Sequence, residues 1–208
     1  MNKSAFDDVL TKSGMTATPG HAVGCDFATN YMTGAELQTM REACHLSRDD
    51  LAGLVRVQAR TVKHWENGRS GVPADVALAV VNLNGLIEAV AQVEQVRAWR
   101  AWQRKPGAQG LVLVRYREDK DAGRMDSVLT GYPVAVHGAV VMRVIAALKN
   151  RQDAAHNLDV RVVWFGAADY GAWLAQVGAQ DTPDALDHWA AQALPAQSLP
   201  HRSDQPPC

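Results

Sequence analysis

Apolar residues fall into a helical rhythm from residue 33 onward. Thr33-Gly34-Ala35-Glu36 has the spacing of a capping box, and Leu37, Met40 and Cys44 then share one helical face. A second box, Ser47-Arg48-Asp49-Asp50, opens a helix predicted to bury Leu51, Leu54 and Val55. A third helix is expected from Gln58 or Ala59, burying Val62 and Trp65 and stopping at Asn67-Gly68, where a left-handed residue ends it. Pro73 suits a first helical turn, and Asp75 complements the amino-terminal end of the helix dipole. From there Val76, Val80, Leu83, Ile87 and Val90 recur by fours and threes, widened by Leu86, Val93 and Val96. The pattern predicts one helix, or two abutting ones, running to about Arg104 before Pro106-Gly107, with Asn84-Gly85 a candidate kink.

Beyond Gly110 the period changes. Leu111 to Tyr116 and Asp159 to Phe165 read as strands, and Val134 to Asn150 between them carries a helical apolar face of Val136, Val140, Val144, Ala147 and Leu148. Strand, helix, strand is the outline of a βαβ crossover or a small α+β domain. Two short helices follow, over 171–178 and 183–194, the second opened by Asp181-Thr182-Pro183-Asp184. Residues 1–30 hold few large apolar groups and read as a flexible arm, and the proline-rich stretch 195–208 reads as a disordered tail. The expected fold is mostly α with a small α+β carboxy-terminal domain. Its units are a helical module at 31–105 with a long trailing helix and an α+β dimerisation domain at 108–194.

Composition narrows the function. The 208 residues are 47% apolar, with 21 Lys and Arg against 22 Asp and Glu, enough for one good core or two small ones. No run of 18 uncharged apolar residues occurs and no apolar stretch follows a basic start, so neither a membrane span nor a secretory signal is expected, and a cytoplasmic setting follows. Three cysteines without CxxC spacing disfavour a disulfide scaffold or zinc ribbon. His21, Cys25, Cys44 and His45 are zinc-type ligands at irregular intervals. Cys44 belongs to an apolar face, so a buried structural thiol is the expectation and no metal or cofactor is assigned. No nucleophile elbow, phosphate loop or Ser-His-Asp spacing is present, and a non-enzymatic protein is expected. Charge is unevenly spread: residues 97–124 hold eight basic against three acidic groups, while 181–208 hold four Asp against Arg202. The basic stretch reads as the solvated face of a helix end, with a second nucleic-acid contact, DNA or RNA, as its alternative.

The sharpest motif lies in the helical module. Ser47-Arg48-x-x-Leu51-Ala52, Val57, Val62-x-x-Trp65-Glu66-Asn67-Gly68-Arg69 and Val72-Pro73 resemble the Cro/repressor-type (XRE) helix-turn-helix family from Met32 to about Val90. The resemblance implies a five-helix-type repressor module and a cytoplasmic transcriptional regulator. Arg48 stands where many members have Gln, and Arg56 where many have Gly, which calls for a changed backbone angle in the turn. A narrower resemblance, carried by Arg56 to Thr61, Trp65-Glu66 and Gly68 to Val76, is to anti-CRISPR-associated autorepressors, where an Arg also occupies the turn. It implies a dimer repressing a phage or mobile-element operon from an inverted repeat.

In that geometry the second helix of the motif enters the major groove, with its first residues at base edges. Burial of Val62 and Trp65 turns Ala59, Arg60, Lys63 and His64 outward. Arg60 is the best reader, since its fork matches guanine O6 and N7. Ala59 can touch a thymine methyl, Lys63 and His64 can take a base or a phosphate, and Gln58 can reach adenine or cap the helix. Arg48, Arg56, Thr61 and Arg69 are the candidate phosphate contacts. Glu66 is expected to pair with Arg41 or to cap backbone. Three rival readings stand beside the operator-binding dimer: an antitoxin or adaptor gripping a protein partner, a ligand-sensing or enzymatic carboxy-terminal domain, and a monomer using its second domain as a further DNA clamp.

Overall fold

The computed structural model describes residues 32–104, 110–122, 127–150 and 158–197; the amino-terminal arm, most of the tail, His21 and Cys25 lie outside them. Both capping boxes form. Thr33 and Glu36 cap each other at the head of α1 (Gly34–Ala43), and Ser47 and Asp50 do so at the head of α2 (Arg48–Leu54). α3 spans Ala59–Glu66 and gives way at Asn67, with Gly68 at φ +69°. α4 is a single helix of 30 residues, Ala74–Gln103, that Asn84-Gly85 does not interrupt.

The turn between α2 and α3 corrects one expectation. Arg56 does not force a different turn; it takes the left-handed conformation itself, at φ +56°. An L-residue there costs roughly 1–2 kcal/mol that glycine avoids. Arg56→Gly is therefore expected to raise stability by about 1 kcal/mol, seen as a higher urea midpoint at unchanged m-value, and to weaken DNA binding only if this guanidinium meets phosphate. Gly34 serves a different need. A Cβ there would collide with the carbonyl oxygens of Trp65 and Glu66, so α1 crosses the end of α3 at backbone contact.

After α4 come β1 (Gly110–Arg115), α5 (Asp119–Ala122), a 3-10 turn at Ser127–Leu129 and α6 (Val134–Asn150). β2 (Asp159–Trp164), α7 (Ala167–Val177) and α8 (Pro183–Gln197) are the last of the described elements. β1 and β2 pair in parallel, Leu111 opposite Val160 and Val114 opposite Val163. This is the strand–helix–strand crossover expected from the pattern. The fold is mostly α with a small α+β part.

Three apolar clusters hold these elements. Leu37, Leu51, Val62, Trp65, Val72, Val76 and Val80 form the core of the three short helices and the start of α4. Further along, Leu83, Ile87, Val90 and Ala98 of α4 pack on Val136, Ala139, Val140, Val144 and Leu148 of α6, with Cys44 and Leu46 of the α1–α2 turn. Phe165, Tyr170, Leu186 and Trp189 fill the third cluster beside Val114 and Val163. Trp99 and Trp102, with rings 5.0 Å apart, pack on the second cluster.

α4 thus serves two cores in succession, and Arg143 of α6 ties them. Its Nη2 donates to Asn84 Oδ1 at 2.6 Å and its Nη1 to the Ala43 carbonyl at 3.2 Å, while Nε lies 3.2 Å from Glu88 Oε2. Glu88 and the amides of Asn82, Asn84 and Gln92 interrupt α4 as an uncharged apolar run. By mean hydropathy, 1.6 over 18 residues, the helix is long and apolar enough to cross a membrane, and 33% of that window is buried in this fold.

Candidate nucleic-acid interface

α3 is amphipathic about a sharp divide. Val62 and Trp65 are buried in the module's core, as is Glu66 at the helix end, and Gln58, Arg60 and Lys63 are exposed on the other side. Thr61 and His64 are half-buried. Ala59 is partly buried as well and packs on the core rather than standing clear of it. Gln58 occupies the N-cap position without a side-chain capping bond, so its amide remains available to an external group. Arg56 and Arg69 are exposed.

One buried carboxylate holds this helix in place. Arg41 Nε of α1 donates to Glu66 Oε1, and Arg48 Nε at the start of α2 to Oε2, both at 2.6 Å. The Glu66 side chain has no exposure at all. Burial pushes its carboxyl pKa up, but hydrogen bonds and charge from Arg41 and Arg48 prevail and hold it below the usual carboxylate range. Arg41 also donates from Nη1 to the Leu46 carbonyl at 2.6 Å, so the three short helices meet at one ion triad.

The Arg41–Glu66 pairing expected from sequence is present; the second bond, to Arg48, is not legible there. It makes Arg48 a positioning residue in part, with its side chain still 40% exposed. Arg41, Arg48, Asp49, Ala59, Arg60 and Lys63 line an open concavity of about 550 Å³ between the starts of α2 and α3. Four of the candidate residues, Arg48, Ala59, Arg60 and Lys63, thus share one notch, with Arg41 added at its base. Gln58, Arg56, Thr61, His64 and Arg69 do not line it. Four cations face one aspartate, and partial neutralisation by Glu66 leaves the excess charge on Arg60 and Lys63 at the rim. Such a rim suits a phosphate backbone with base edges beyond it.

Other candidates resolve differently. Cys44 is wholly buried, and burial raises its thiol pKa to about 11, the inert structural thiol expected. Among the described residues no cluster of His, Cys, Asp and Glu has the arrangement of a metal site. Of the basic stretch 97–124, Arg97 pairs with Glu94 and, at 2.7 Å, with Asp187 of α8. Arg115 donates to the carbonyls of Tyr116 and Val134, and Arg117 lies 4.6 Å from the Trp164 ring centre. These cations are spent largely on the fold.

Two short helices joined by a tight turn, the second exposing a polar face, and a long helix behind them define a helix-turn-helix module of the DNA-binding class. Residues 33–102 match the family model of the Helix-turn-helix domain. No curated protein matches the chain.

Proposed function

We propose that the chain is a sequence-specific transcriptional repressor, acting as a dimer on an inverted repeat upstream of its own operon. The observation that carries this reading is α3, clamped from behind by Glu66 and Trp65 while Gln58, Arg60 and Lys63 face outward. Arg60 reads guanine from the major groove, Gln58 and Lys63 read neighbouring bases, and Ala59 and His64 contact base edges at the margin. Arg48, Arg56, Thr61 and Arg69 hold phosphates and set the register. The turn arginine, Arg56, supports the narrower likeness to anti-CRISPR-associated autorepressors of phages and mobile elements. Dimerisation matters because a single module buries modest surface, whereas two half-sites multiply specificity.

Fluorescence anisotropy with the duplex upstream of the protein's own gene, titrated across salt beside a scrambled duplex, tests the reading. A preference of about 1,000-fold or more with a steep salt slope is expected; equal weak binding to both overturns it. Arg60→Ala should cost about 1–3 kcal/mol of discrimination, roughly 5- to 150-fold, with thermal stability and oligomeric state unchanged. Undiminished specific binding removes Arg60 as the reader.

A further inference from the structure

α4 buries one face in two cores and leaves the opposite face bare. Leu78, Val81, Val93 and Val96 are 49%, 44%, 65% and 37% exposed, and Gly85 and Ala89 lie exposed between them. These six positions recur at the helical period and form an apolar stripe about 27 Å long, with Asn82 and the exposed Gln92 inside its arc. The stripe is symmetric about Ile87: Leu78 stands as far before it as Val96 after it, Val81 matches Val93, and Gly85 matches Ala89. At its two ends, on the same flank, are Asp75 and Arg100, both exposed. Gly85 adds an independent sign. A mid-helix glycine costs about 1 kcal/mol against alanine, and a Cβ there would meet nothing within 4 Å, so nothing in the described chain requires it.

We infer that α4 is the dimer seam, its bare stripe packing antiparallel on that of a second copy across a two-fold axis beside Ile87. This rests on the dimeric reading above and places its surface on α4 rather than in the α+β part at 108–194. The register suits an isologous interface, since Leu78 and Val96 share the centre of the stripe and Gly85 and Ala89 flank the axis, while Val81 and Val93 sit at its edges beside Gln92 and Asn82. Leu78 packs beside the partner's Val96, and Gly85 and Ala89 let the two backbones approach at the crossing. Asp75 of one protomer faces the partner's Arg100, so the seam is charge-complementary only with a copy run in the opposite direction. Spacing agrees as well. The amino ends of the two α4 helices, each carrying a helix-turn-helix core on Val76 and Val80, stand about 39 Å apart, close to the roughly 34–36 Å between half-sites one DNA turn apart.

Sedimentation velocity and half-site anisotropy on the full chain test this. The unaltered protein is expected to be a dimer. Val93→Asp and Gly85→Leu should each shift it to monomer, with helical content retained and single half-site binding kept while full-operator affinity falls at least tenfold. Asp75→Arg and Arg100→Asp should each weaken the dimer, and combining them should restore it. In a Cys25→Ser, Cys208→Ser background, Leu78→Cys with Val96→Cys should cross-link between chains on oxidation, and Leu78→Cys alone should not. A dimer that persists through Val93→Asp and Gly85→Leu overturns the seam while leaving operator binding intact, because the interface then lies elsewhere. A monomeric unaltered protein overturns it too, the stripe then belonging to another part of the chain or another partner. Loss of half-site binding in the unaltered protein marks failure of the DNA-binding reading instead.

Discussion

Replacing Glu66 with alanine is expected to lower stability by about 3–5 kcal/mol, the cost of leaving a buried charge without its partner. The stranded group is Arg41, whose side chain is 8% exposed. Its remaining carboxylate neighbour, Glu42, is 3.2 Å from Nη2 and half in solvent, so the loss should fall toward the lower end. Arg48 contributes less, because its exposed guanidinium rehydrates when released. Glu66→Gln keeps an acceptor for one arginine and should cost less than alanine. Arg41→Met combined with Glu66→Leu should recover most of the loss, since an apolar replacement of similar volume removes the desolvation penalty along with the attraction. Urea denaturation of the four proteins separates these outcomes. If Glu66→Ala melts within 1 kcal/mol of the parent, the triad does not hold the three helices together.

The same residue shows what sequence conveys and what it omits. The two capping boxes, Thr33 with Glu36 and Ser47 with Asp50, are local in sequence and were readable to the residue, because their chemistry needs only a spacing of three. The buried face of α4, Val76 to Val90 by fours and threes, is readable for the same reason, and so is the terminator at Gly68. Pairing of Arg48 with Glu66 joins residues eighteen apart on different helices, and no periodicity announces it. Arg48 was therefore expected to hold phosphate alone, whereas half its work is internal. Arg56 illustrates a different gap: a sequence shows that glycine is missing from a turn, not whether the backbone moves or the side chain tolerates the strain. In the α+β part, strands β1 and β2 were evident from their β-branched runs. The internal use of Arg97 and Arg115 was not, because a charge run looks the same whether it faces water or a distant carboxylate. The bare face of α4 is not legible in the sequence either. Val93 and Val96 read as a wider core stripe, and only the packed position of α6 decides which valines are covered.

His137 carries the other large expectation, and it concerns acid. Lowering the pH from 7.5 to 4.5 should cost about 2–3 kcal/mol of stability through this residue. On α6 it is 5% exposed, with its ring 4.6 Å from that of Tyr116 and a buried Nδ1 that has no hydrogen-bond partner. Burial, reinforced by the charge of Arg115, holds its pKa down at about 3. In the unfolded chain the same imidazole titrates near 6.5. Between those values the unfolded state takes up a proton that the folded state refuses, so stability is full above about pH 6.5 and falls as the pH drops toward 3, by up to roughly 1.4 kcal/mol per unit. Glu66 acts in the same direction but later. Its folded pKa lies below the ordinary carboxylate value, so its contribution is complete above about pH 4.5 and disappears only below that. The interval from 6.5 to 4.5 therefore isolates the imidazole, with a weaker contribution from His45, whose pKa is lowered by partial burial and by Arg115 and Arg143. His137→Leu removes a buried polar atom that has no partner to lose, so it should fold as well as the parent at pH 7.5 and show a nearly flat urea midpoint down to pH 5. A parent midpoint already flat over that range, or an unaltered slope in His137→Leu, would mean that the imidazole is protonated or solvated in the folded protein.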